Sequence, residues 1–357
     1  MKTLQRFIST TVIAAIMLAA SASITVAKTH KITIVAGHPP IFLWVTLTRD
    51  FFIPEVDKRL QAAGGKDRII WNQAYGGTIA KIGGVLEAIE SGVADMGFVG
   101  TLFEAPKMPL HNVTYMTPFG GNDIFKVVDT VSELQAKIPA IRSEWDKNNQ
   151  VFLGGAGLDS YGILTNFPAK TVDDLKGHKI AAPGPSANWI KGTGAVAVAG
   201  NLTTYYNSIK TGVYDGTLTF MTAASALKLH EVAPNILIVN FGAQFAGGLT
   251  INKDIFESFS PETQKIFREV GKEWEVKLAK AQTDRLNNSL SLMKKNGATI
   301  TYLSQSERRR WAEMLPNVPM DWAKAMEKKR LPGAETVKAY LDGLRARGVE
   351  LPRNWDQ

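Results

Sequence analysis

The sequence predicts a two-lobed α/β protein, with mostly parallel sheets flanked by helices and one long helix spanning both lobes. Three observations carry this. Strand-like and helix-like stretches alternate twice along the chain, the pattern of a parallel sheet covered by crossover helices. The stretch Leu86 to Gly97, a helix ended by Gly92 and followed at once by a strand after Asp95, recurs as Tyr205 to Gly216, with Gly212 and Asp215 each 120 residues on. From Pro261 the alternation stops and a single amphipathic run takes over.

Residues 1–27 read as a secretory signal peptide cleaved near Ala27. Lys2 and Arg6 precede an apolar, alanine-rich run from Phe7 to Ala20, and small residues lead to Lys28. Residues 28–153 form lobe one. Within it, 31–36 is a strand, and Gly37-His38-Pro39-Pro40 turns into a helix from Phe42 to about Gly64, kinked or divided at Pro54. A second strand covers 68–72, Gly76-Gly77-Thr78 opens a helix running through Glu90, and a third strand covers 95–99. Helix follows from Ile124 to Asn148.

Residues 154–166 cross to lobe two, which spans 167–245 and repeats the alternation with strands at 178–182, near 201, at 213–220 and at 236–240. Residues 246–260 return towards lobe one. The run 261–297, capped at Ser260, carries Ile266, Phe267, Val270, Trp274, Leu278, Leu286, Leu290 and Met293 as an apolar stripe; it lacks a sustained heptad, which favours a strut over a coiled coil. Residues 298–357 add two or three helices.

Composition narrows the function. The chain has 357 residues, 45% of them apolar, enough for a large core. It has no cysteine, which excludes thiol catalysis and cysteine-ligated metals. The five histidines stand at no metal-ligand spacing, no Gly-x-Ser-x-Gly elbow is present, and Gly192-Thr193-Gly194 follows a helix start where a dinucleotide fingerprint needs a strand. Glu104, Asp159 and Asp215 are the carboxylates that could serve as a general acid, although Asp95 and Asp215 read more simply as polar residues of a repeated turn. The formal charge is +8, and +6 without Lys2 and Arg6, but the basic residues are scattered and export removes the likely nucleic-acid partner. No segment after residue 27 is apolar enough to span a bilayer.

Ligands of parallel α/β sheets bind at the carboxyl ends of strands. Those ends hold His38, Trp44, Tyr75, Thr101 and Phe103 in lobe one, and lobe two adds Tyr161, Ala181, Ser186, Asn188, Trp189 and Phe220. Helix starts at 77–79 and 185–187 offer free amides to an anion. An exported cleft without a catalytic constellation reads as a binding protein.

Asp173-Asp174-Leu175-Lys176-Gly177-His178-Lys179-Ile180 and Gly212-Val213-Tyr214-Asp215-Gly216 resemble the signature stretches of solute-binding proteins of TRAP (tripartite ATP-independent periplasmic) transporters. Tyr75-Gly76-Gly77, Gly92-Val93-Ala94-Asp95, Thr165-Asn166 and the long helix after Ser260 extend the resemblance over the mature chain. It implies a type II-like periplasmic binding-protein fold that closes on a small organic acid and delivers it to a membrane permease. It also implies no cofactor and a monomer in the periplasm.

The resemblance implies an arginine clamp on the ligand carboxylate, and this sequence departs from it. Ala181 and Gly162 occupy the two arginine positions, Leu218 replaces a glutamate, and Thr204 replaces an acidic residue ahead of the retained Tyr206. With Phe98 among the nearby aromatics, such a pocket prefers a ligand with an aromatic or bulky apolar body, such as an aromatic 2-oxo acid. A carboxylate would be held by His38, Lys191, Ser186, Asn188 or the helix-start amides. A neutral or cationic ligand is the alternative. A periplasmic lyase or hydrolase on the same fold, and a ligand sensor for a receptor kinase, are the competing functions.

Overall fold

The computed structural model describes residues 28–64 and 67–357; the signal peptide expected at 1–27 lies outside the described residues. Its strands are β1 (Lys28–Val35), β2 (Asp67–Ala74), β3 (Met96–Gly100), β4 (Gln150–Leu158), β5 (Tyr161–Thr165), β6 (Lys179–Ala182), β7 (Val196–Ala199), β8 (Gly216–Phe220), β9 (Asn235–Ile238), β10 (Gln244–Asn252) and β11 (Thr299–Tyr302). They form two sheets, β2-β1-β3-β10-β4 and β11-β9-β5-β8-β6-β7. β1 pairs in parallel with β2 and β3, and β6 with β7 and β8. In each sheet one strand runs against the parallel set: β10 between β3 and β4, and β5 between β8 and β9.

The internal repeat is physical. Gly92 and Gly212 end their helices at φ of 76° and 75°. Asp95 Oδ2 accepts the Thr33 amide at 2.7 Å, and Asp215 Oδ2 accepts that of Lys179 at the same 2.7 Å. The Asp95 and Asp215 amides donate back to the Thr33 and Lys179 carbonyls, and their own carbonyls accept from Asn252 and Asn166. Each aspartate thus ties three strands of its lobe together.

The expected crossing strand at 154–166 is two strands. β4 belongs to the first sheet and β5 to the second, and the chain passes between lobes at Asp159-Ser160. The return crossing lies at 239–243, earlier than the expected 246–260, because β10 is wholly a strand of the first sheet. Proline divides the expected helix at 124–148 into Ile124–Lys137 and Pro139–Lys147. A π-helical turn at Thr48–Phe52 precedes Pro54, so the helix continues through it. The helix expected after Gly76 forms only at Val85–Glu90.

The long helix is Pro261–Lys295, 35 residues, capped by the Ser260 side chain on the Thr263 amide. It packs against β4 and the helix Ile53–Ala62 on one side and against the helix Met221–Ala226 and β11 on the other, so it does bridge both lobes. Its approach to β4 needs glycine on both sides: a Cβ on Gly271 would stand 2.5 Å from the Leu153 carbonyl, and one on Gly154 2.3 Å from that of Gly271. The tail gives β11, which extends the second sheet, and three helices: Gln305–Met314, Val318–Lys328 and Gly333–Ala346.

Candidate ligand-binding site

The turn after β1 is fixed by amides of Gly76 and Gly77 donating to the His38 and Ala36 carbonyls at 3.0 and 3.1 Å. Gly37 lies so close to Ile82 that a Cβ would meet its nitrogen at 2.5 Å. This delivers His38 inward and starts the helix that carries Trp44. The end of β3 and the turn Thr101–Phe103 add Phe98, Leu102 and Phe103, and lobe two adds Tyr161, Pro183, Tyr205, Thr219 and Phe220. Together with Gly100, Leu158, Leu202 and Ala246 these residues line a space of about 440 Å³ between the lobes, part of it open to solvent.

The enclosure is an aromatic cage. Trp44 stacks on Phe42 at 4.8 Å, meets His38 edge-on at 5.1 Å and reaches Phe220 of the other lobe at 6.3 Å between ring centres. Phe220 in turn lies 5.3 Å from Tyr161. Outside the cage the lobes are tied directly: Trp189 Nε1 donates to the Tyr115 carbonyl at 2.6 Å, and the Tyr115 and Tyr161 hydroxyls lie 3.3 Å apart.

No lysine, arginine, aspartate or glutamate lines the cavity. Burial lowers the His38 imidazole to about 4, so it is neutral at physiological pH. Burial likewise pushes the Tyr161 and Tyr205 hydroxyls upward. The Trp44 Nε1–H is buried without an acceptor. An uncharged cage with few donors suits a largely apolar guest.

Of the residues expected here, His38, Trp44, Phe103, Tyr161 and Phe220 come together in the cavity wall, along with Phe98. The others stand elsewhere. Tyr75 lies towards the Arg49–Asp50 pair, with its hydroxyl buried and unpartnered. Thr101 is fully buried behind Gly100 and Leu102. Ser186 bonds the Pro183 carbonyl, and Trp189 is a core residue whose carbonyl accepts from Trp311. Asn188 and Lys191 line a separate surface hollow with Asp321 and Trp322. The expected helix starts at 77–79 and 185–187 are a turn and a 3₁₀ segment, Gly184–Ile190.

Ala181 is buried against Gly200, with the Tyr205 ring packed on the same spot. A side chain at Gly162 would strike the Leu237 carbonyl at 2.6 Å. Both clamp positions are therefore closed. The retained tyrosine of the helix Tyr205–Lys210 also needs correction: Tyr206 points outward to Glu231 at 2.8 Å, and Tyr205 is the one in the cavity. Tyr205, Thr219, Leu202 and Leu158 were not legible in the sequence: strand alternation sends the neighbours Thr219 and Phe220 to opposite faces of β8, so it carried no signal for Thr219.

The carboxylates are dispersed. Asp159, raised by burial to about 6, accepts from the Met221 and Thr222 amides and the Thr222 hydroxyl. Glu104, raised by burial to about 7, sits near Lys107 outside the cavity lining. Asp215 serves the strand contact described above. Among the described residues no cluster of histidine, aspartate and glutamate fit for a metal ion is present.

A profile of the family described as DctP, bacterial extracellular solute-binding protein, family 7, matches residues 75–328. The chain belongs to that family. A curated relative, a solute-binding protein of Sulfitobacter sp. (strain NAS-14.1), is 26% identical over 174 residues; the match covers 47% of this chain and 50%, about half, of the relative's length. Among solved structures, a TRAP solute-binding protein of Rhodoferax ferrireducens T118 in complex with copurified benzoate has a TM-score of 0.78 at 17% identity, covering 89% of this chain and 98% of that one. A marine-metagenome TRAP protein specific for aromatic acid ligands, with 3-hydroxybenzoate, gives 0.78 at 18% over 90% and 99%. A Bordetella pertussis extracytoplasmic solute receptor binding pyroglutamic acid gives 0.75 at 21% over 89% and 100%. At these identities the structural likeness is one of fold. It agrees with the TRAP resemblance of the signature stretches.

Proposed function

We propose that this family 7 protein is the periplasmic receptor of a TRAP transporter, capturing a small organic acid with an aromatic or bulky apolar body and passing it to the membrane permease. The observation that carries the reading is the uncharged aromatic cage built from both lobes at the carboxyl ends of their strands. An aromatic acid buries its ring against Trp44, Phe98, Tyr161 and Phe220, and edge-to-face contacts add about 1 kcal/mol per pair beyond area burial. Known ligands of similar folds, benzoate and 3-hydroxybenzoate, have this chemistry. Among the described residues no helix is long and apolar enough to cross a membrane, in keeping with a partner that docks on the permease.

Thermal melting of the purified protein against benzoate, 3-hydroxybenzoate, indole-3-pyruvate, pyroglutamate, galacturonate and succinate tests this. The aromatic acids are expected to raise the melting temperature, by about 2.7 kcal/mol of stability at a hundredfold excess over Kd. A shift with succinate or galacturonate alone refutes the aromatic specificity.

A further inference from the structure

The cavity holds no cation, both clamp positions are closed, and a buried carboxylate without charged or hydrogen-bonding partners costs several kcal/mol. A second, smaller crevice, about 170 Å³ including its opening to solvent, adjoins the cavity. It shares only Trp44 and Phe220 with the main cavity, and behind them it is walled by Thr222, Ala223, Gln282 and Arg285. Arg285 belongs to the long helix and is half-buried. Among the described residues it takes part in no ion pair, hydrogen bond or ring contact.

The nearby carboxylates are engaged. Asp284 pairs with Lys280 at 2.6 Å, and Asp159 spends its oxygens on the Met221 amide and on Thr222. Trp44, common to the walls of the two spaces, carries a fully buried indole N–H without an acceptor, on a residue only 2% exposed. A residue with an unpaired guanidinium and the tryptophan that carries the orphaned indole N–H therefore line the same crevice. Together they offer an oxyanion a charge and directed donors, and an arginine adds the planar fork that matches a carboxylate.

We propose that Arg285 is the carboxylate-binding residue of this receptor, with Trp44 Nε1–H as its neighbouring donor. The acid lies with its apolar body in the cage and its carboxylate reaching between Trp44 and Phe220 to the long helix. The anchor has moved from the strands of lobe two to the helix that bridges the lobes. Closure on the acid then brings lobe-one Trp44, lobe-two Phe220 and the bridging helix to one ligand. The assignment rests on the reading of the cavity as an acid receptor.

Calorimetric titration of wild type, Arg285→Gln and Arg285→Lys with benzoate and with its neutral isostere benzamide tests it, with unliganded melting temperatures as the folding control. Wild type is expected to prefer benzoate; Arg285→Gln loses at least tenfold in benzoate affinity and keeps benzamide affinity within twofold, and Arg285→Lys recovers part of the loss. Benzoate affinity within twofold of wild type in Arg285→Gln overturns the assignment alone. Wild type that binds neither probe overturns the aromatic-acid reading, and the assignment with it.

Discussion

His38 and Asp159 are both buried titratable groups, and their effects on stability oppose each other. His38 is lowered from 6.5 to about 4 by desolvation, so between those values the unfolded chain holds a proton that the folded chain lacks, and stability falls as pH falls. Asp159 is raised from 3.8 to about 6, also chiefly by desolvation; there the folded chain holds the extra proton and stability rises as pH falls. Glu104, raised by burial to about 7, acts in the same direction as Asp159. Chemical denaturation of wild type and His38→Gln isolates the first effect, because Asp159 contributes to both. The stability difference between the two proteins is expected to change by about 3 kcal/mol from pH 6.5 to 4, from 1.36 kcal/mol per unit. Parallel profiles would mean that His38 is not desolvated. At this same scale large rings such as Trp44 and Phe220 stand out in the sequence, whereas Tyr205 and Thr219 in the cavity and Arg285 in the crevice behind it do not. A tyrosine next to a tyrosine has no pattern that says which one faces in, and an arginine on a helix reads as a solvated face until its neighbours are known.

The elements obey local rules more closely. Gly92 and Gly212 end helices at positive φ, and each following aspartate clamps a strand, so the repeat was legible from spacing alone. The long helix was legible from its cap and apolar stripe. Its contact with β4 was not, because it depends on two glycines meeting, and a glycine in a helical run only signals a lowered propensity. Gly271→Ala is expected to destabilise the protein by about 1–3 kcal/mol through overpacking against the Leu153 carbonyl, read from urea midpoints. An unchanged or raised midpoint, as helix propensity alone would give, would rule out the close approach. The 3₁₀ segment Gly184–Ile190 shows a local limit. Its glycine and proline permit a helix start, but Gly184 presses on Leu102 across the lobe boundary, where a Cβ would sit 2.8 Å from that carbonyl.

Across the whole molecule the lobes share one core. Buried residues of the first sheet, such as Ile34 and Phe98, form one continuous cluster with Ile163, Leu218 and Leu237 of the second and with Phe267 and Trp274 of the long helix. Calorimetry is expected to give a single transition whose van't Hoff and calorimetric enthalpies agree, despite the two sheets. Two resolved transitions would show that the bridging helix does not couple the lobes.

The alternation, the repeat and the long helix were legible along the chain, as was alanine at 181 and glycine at 162 where the family resemblance implies arginine, because periodicity, glycine positions and residue identity are local. Packing between distant segments settles which aromatics share a cavity, that Ala181 and Gly162 have no room for a longer side chain, and that Arg285 lines the crevice behind Trp44 and Phe220. Those facts depend on two lobes, one helix and a crossing at Asp159-Ser160 converging from distant parts of the chain, and no local pattern encodes that distance.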